Sequence, residues 1–131
     1  MRFTENEMTK ALEGAAKMVM STQREVRKSG RDVEDVWRET GRFQRYQLLD
    51  SLAGQVLPVL TALPDVEVEP GTRPTFSHAE VEAAVEQQLG EEGGRLRRAV
   101  VHKTRVALVR AALAALPVRQ DPDALIVPDH L

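Results

Sequence analysis

The sequence predicts an all-α domain of four helices: two long amphipathic ones, then an acidic and a basic helix joined as a hairpin. Three observations lead there. Apolar residues recur at steps of three and four in successive stretches, capping residues stand at the heads of those stretches, and glycine or proline stands at their ends. Aromatic residues are few (Phe3, Trp37, Phe43, Tyr46 and Phe76), so Leu, Val, Ala and Met must fill the core, a composition that suits helices. With 131 residues the chain has the length of one domain. A chain of that size buries roughly two thirds of its unfolded surface. We read residues 1–120 as that domain and 121–131 as a mobile tail.

The first helix opens on the capping box Thr4-Glu5-Asn6-Glu7 and runs to Ser29-Gly30. Its stripe is Met8, Leu12, Ala15, Val19 and Val26, with Thr22 in the one gap. A second periodic run starts after Asp32 and ends near Leu63-Pro64. Its front half (Val33, Val36, Trp37, Phe43) and its back half (Leu49, Leu52, Val56, Leu60, Leu63) fall on opposite sides of a helix. Either the helix breaks near Gly41, or one long helix serves two neighbours. Pro58 removes a backbone donor and crowds the carbonyl of Gly54, which predicts a kink. "LPDVEVEPGTRPTF" reads as an extended linker. Ser77-His78-Ala79-Glu80 is a second capping box, opening a short third helix on Val81, Ala84, Val85 and Leu89. The fourth runs from Arg95 to Leu116, stopped by Pro117; Val100, Val101, Thr104, Ala107, Leu108, Ala111 and Ala115 make its broad apolar face. In the tail, Leu125-Ile126-Val127 is an apolar cluster suited to docking in a groove.

A net charge of −2 conceals a pattern. Residues 1–64 sum to +1, residues 65–92 to −7, residues 93–120 to +7, and the tail adds −3. Neighbouring blocks of opposite sign predict that the third and fourth helices neutralise one another, within one chain or across two. The competing reading is a nucleic-acid interface on Arg95, Arg97, Arg98, Lys103 and Arg105. These cations point in several directions around the helix, whereas a phosphate-tracking surface gathers them on one face. A helix-turn-helix is also excluded: taking Gly41 as the turn glycine puts Trp37 and Gln47 in its small and apolar slots, and Gly90 puts Glu86 in the first.

A second basic feature lies earlier. Arg31, Arg38, Arg42 and Arg45, beside Trp37 and Tyr46, form one stripe on a continuous helix. Planar guanidiniums next to aromatic rings make a candidate anion or partner site. The alternative is a solvated face carrying a Glu34–Arg38 pair.

Absent chemistry narrows the rest. With no cysteine, disulfides, thiolate metal sites and a cysteine nucleophile are excluded. No glycine-rich phosphate loop, Gly-x-Ser-x-Gly elbow or Glu-x-x-His pair occurs. His78 and Glu82 stand at ligand spacing, but at a helix start such a pair serves more often as a cap and dipole partner. No stretch reaches 18 uninterrupted apolar residues, and "MRFTENEMTK" lacks the apolar run of a secretory signal. The expectation is a cytoplasmic, non-catalytic, homo-oligomeric interaction or adaptor module without a cofactor. Its pairing surface is expected at Val106, Val109, Leu113 and Leu116, where the fourth helix is apolar nearly all round.

Overall fold

The computed structural model describes residues 1–90 and 93–120; Glu91, Glu92 and the tail from residue 121 lie outside the described residues. The fold is all-α, with no strand among the described residues, and six helices replace the expected four: α1 (Glu5–Thr22), α2 (Arg24–Ser29), α3 (Val33–Glu39), α4 (Arg42–Ala62), α5 (His78–Gln88) and α6 (Arg95–Ala114). The two additional helices come from breaks in the two long amphipathic segments.

Both capping boxes form. The Thr4 side chain accepts from Glu7 N while Glu7 Oε1 accepts from Thr4 N, and Ser77 and Glu80 repeat the exchange at the head of α5. The Asp32 side chain accepts from Glu34 N at the head of α3.

The first break falls at Gln23, whose backbone is extended. Ser21 and Thr22 turn their hydroxyls back onto the carbonyls of Met18 and Val19, which competes with helix continuation. Beyond them the apolar stripe thins to Val26, and α2 buries no residue. Among the described residues no buried side chain ties it in line with α1. The second break, at Thr40-Gly41, decides between the two readings of the split stripe. α3 turns its apolar side to α1, with Trp37 buried, while α4 faces α1, α5 and α6 through Leu52, Val56, Val59 and Leu60. α4 continues unbroken through Pro58. Pro58 and Gly54, whose carbonyl loses its helical donor, both lie on the exposed side, so the freed carbonyl is not enclosed in the core.

The core lies where α1, α4, α5 and α6 meet, with Val56, Val59, Val85, Val109 and Ala112 fully enclosed. The most extensive helix pair is α1 with α6, joined by small residues. A Cβ added to Gly14 would stand 2.4 Å from Ala115 Cβ and 2.9 Å from the Ala111 carbonyl oxygen. This close approach phases α1 differently from its sequence stripe: Ala11, Ala15, Ala16 and Met20 are buried, and Met8, Leu12 and Val19 only half-buried.

The phase of α6 also needs correction. The large side chains Val106, Leu108, Val109 and Leu116 enter the core, whereas Val100, Thr104 and Ala107 of the expected apolar face are exposed. α6 is apolar on most sides, so periodicity alone admits more than one orientation. The pairing surface expected at Val106, Val109, Leu113 and Leu116 is corrected by the same finding. Val106, Val109 and Leu116 are buried in the chain's own core and Leu113 is half-buried against it.

After α4 the chain is extended, with Val66, Val68 and Phe76 packed on the core. Thr72 N closes a turn onto Glu69 O at 3.0 Å, with Pro70 and then Gly71 at φ 82° in its middle. That is a type II turn, whose third position favours glycine. The linker does find a backbone partner: Gly71 N donates to Arg119 O and Arg119 N to Thr72 O, each at 2.7 Å. The Arg119 side chain then reaches α1. Its Nε and Nη2 meet Glu7 Oε2 at 2.9 Å and Oε1 at 3.2 Å, and Nη2 also donates to Arg2 O. Glu7 is only 4 % exposed. Burial raises its pKa, but hydrogen bonds from Arg119 and Thr4 and the Arg119 charge outweigh burial and hold it below the ordinary carboxylate value. Among the described residues no helix is long and apolar enough to cross a membrane.

Candidate functional site

The arginine stripe is broken up: Arg31 precedes α3, Arg38 lies on α3, and Arg42 and Arg45 lie on α4 beyond the break at Gly41, so its members meet different partners. Arg31 donates to Glu39 at 2.6 Å, and Arg38 pairs with Asp35. The hydrogen bond and charge of Glu39 hold Arg31 above its already high pKa, and Arg31 holds Glu39 below its ordinary value. Glu34, which the sequence pairs with Arg38, instead reaches across to Lys17 on α1 at 2.9 Å. Exposed pairs of this kind contribute little to stability. Glu39→Gln is therefore expected to leave the urea midpoint of unfolding unchanged within error.

Arg45 behaves differently. Its guanidinium carbon stands 5.8 Å from the centre of the Trp37 ring, within cation–π range. Trp37 is buried, and Arg45 Nε is shielded from solvent without a hydrogen-bond partner. Of the expected cluster, Arg45 and Trp37 are brought together, while Arg31 and Arg38 are engaged by α3's own acids.

Next to them the head of α4 presents aromatic surface. Phe43 is 71 % exposed and Tyr46 is 64 % exposed, one turn apart. Two of the chain's five aromatic residues thus face outward at one place. Arg42, also exposed, completes this surface. α4 has no acidic residue in its first turn and no side-chain cap, because Gly41 holds the N-cap position. The positive end of the helix dipole and two arginines therefore coincide at Phe43 and Tyr46. The sequence placed Phe43 on a buried face; the turn at Gly41 carries it outward.

The basic helix offers a second cluster. Arg97, Arg98 and Arg105 line a hollow of about 180 Å³ with Leu89, Gly90 and Val101. Arg95 and Lys103 are exposed and are not part of that lining. Among the described residues, pairing between the acidic and basic blocks rests on one acid: Glu86 accepts from Arg98 and lies 3.8 Å from His102. Arg98 also donates to Gly90 O. Glu82 engages His78 at 2.5 Å, and Glu80 serves its capping box. The expected block-by-block neutralisation is thus narrower among these residues, and Glu91 and Glu92 lie outside them. The five cations of the nucleic-acid reading are spread over more than one face, which weighs against a phosphate-tracking surface. Among the described residues no three His, Asp or Glu side chains converge as metal ligands.

No protein-family model, curated protein or solved structure matches the chain.

Proposed function

We propose that the chain is a non-catalytic interaction module whose partner surface is the head of α4, formed by Phe43 and Tyr46 with Arg42 and Arg45 in the same turns. The exposure of two aromatic side chains one turn apart is the observation that carries this reading. An aromatic side chain removes roughly 150–250 Å² from water when buried, and aromatic residues and arginine are enriched at the energetic centres of protein interfaces. The charge of this surface selects the partner. Arg42 and Arg45 at an uncapped helix start favour an acidic segment that brings an apolar side chain to the two rings. A symmetric contact between two copies would place these arginines near their own equivalents, so a different, acidic protein fits this surface better than a second copy.

The test is a photo-crosslinking side chain in place of Tyr46, with the same group in place of Gln87, exposed on α5, as the control. We expect a discrete adduct from position 46 alone, and its loss when Phe43→Ser is added. An adduct at twice the 14.6 kDa mass of the chain would identify a second copy, the self-association expected from the sequence. No adduct from position 46, or equal adducts from both positions, would overturn the reading.

A further inference from the structure

A different surface lies between the linker and α6. A hollow of about 250 Å³ is walled by Phe76, Val81 and Leu113, with Arg73 and Arg110 contributing to its lining. Val81 is buried, and Phe76 and Leu113 are half-buried, so the walls are apolar and already packed on the core.

Both cations are positioned by neutral groups. Arg73 Nη1 donates to the Ala114 carbonyl, in the last turn of α6, at 2.7 Å. Arg110 Nη1 lies 2.6 Å from His78 Nδ1. A guanidinium only donates, so Nδ1 must accept and the imidazole proton sits on Nε2, which faces Glu82 Oε1 at 2.5 Å. Glu82 thus orients His78, and His78 orients Arg110. Each guanidinium keeps further N–H donors, and among the described residues neither is paired with a carboxylate.

We propose that this hollow binds the carboxylate of a small apolar acid, with Arg73 and Arg110 holding the head group and Phe76, Val81 and Leu113 enclosing the body. The planar fork of a guanidinium matches a carboxylate. The walls favour a ligand with an apolar body over inorganic phosphate, which would leave Phe76, Val81 and Leu113 without a partner. The size admits a branched aliphatic or single-ring acid. Arg73 is the only Lys or Arg between Arg45 and Arg95, and folding brings this isolated cation to the same hollow as Arg110.

The probe is phenylacetate, compared with its uncharged amide and with inorganic phosphate, followed by protein NMR shifts and by the thermal midpoint. Phenylacetate should raise the midpoint and shift the signals of Phe76, Val81 and Leu113, while the amide and phosphate should do neither at equal concentration. Loss of a charge-assisted hydrogen bond weakens binding by roughly ten- to a hundredfold, so Arg110→Gln should reduce affinity by at least about tenfold. Should Arg110→Gln fail to fold, Phe76→Ser tests the apolar wall and should weaken phenylacetate while leaving acetate unchanged. Absence of phenylacetate binding at millimolar concentration, equal binding of the amide or of phosphate, or unchanged affinity in the variants would overturn the assignment.

Discussion

Gly14→Ala is expected to lower the urea midpoint of unfolding, although the same change in an exposed helix stabilises by roughly 0.5–1 kcal/mol. The new methyl carbon would lie 2.4 Å from Ala115 Cβ and 2.9 Å from the carbonyl oxygen of Ala111, so α1 and α6 would have to separate. One of those atoms is backbone and cannot swing aside. Overpacking of a tight contact costs typically ~1–3 kcal/mol, which offsets the propensity gain and leaves a net loss of up to about 2 kcal/mol. The contact joins the middle of α1 to the last turn of α6, within the most extensive helix pair of the fold. Adding Ala115→Gly should restore part of the loss by removing the nearer atom, but not all of it, because the Ala111 oxygen remains. A double-mutant cycle measures this coupling. A Gly14→Ala chain more stable than the wild type would show that the helices part without cost.

Arg119→Met is expected to lose about 2–3 kcal/mol at neutral pH, and that deficit should shrink as the solution is acidified. Removing one member of a buried ion pair costs roughly 3–5 kcal/mol; the figure is reduced here because the Arg119 side chain is 32 % exposed. In the wild type, burial, the largest influence on Glu7, raises its pKa but is outweighed by Arg119 and Thr4, so the folded value lies below 4.5. A depressed carboxylate contributes stability that is fully present above the unfolded value and is lost as pH falls through the folded one. Without Arg119 that depression shrinks, because burial is then opposed only by the hydrogen bonds of Thr4, and a protonated Glu7 becomes easier to enclose. The two chains should therefore differ most near neutrality and converge between about pH 5 and pH 3. Urea midpoints across that interval read the effect directly, and a constant difference would show that the pair acts through packing alone.

Local signals in the chain were the reliable ones. Thr4, Asp32 and Ser77 head α1, α3 and α5 as read, because a cap is a bond between residues two or three apart and needs nothing from the rest of the molecule. The Gly41 break was half legible: the two apolar sides were plain, but a break and a shared long helix explain them equally well until the neighbours are known. The split at Gln23 was hidden because Ser21 and Thr22 are tolerated in helices when packing supports the next turn, and Arg24–Ser29 has no such support. The candidate site was less legible than the fold. Arg45 and Trp37 were placed in one six-residue cluster from sequence, but Phe43 was assigned to a buried face, and Arg73 and Arg119 carried no periodicity that would connect them to Arg110 and Glu7.

Sequence by itself determined the helical class, the capped starts and the exclusion of cysteine chemistry, since these depend on composition and on spacings of a few residues. Tertiary structure alone decided which side of α6 is inside. Its apolar residues surround most of the helix, and the choice fell to the Gly14 contact, which seats Ala111 and Ala115 on α1 and turns Val106, Val109 and Leu116 inward. Surface expected between chains thereby became core within one chain. Which arginines keep a donor free was settled in the same way, because a charge meets its partner across space and the partner's position is a property of the packed whole.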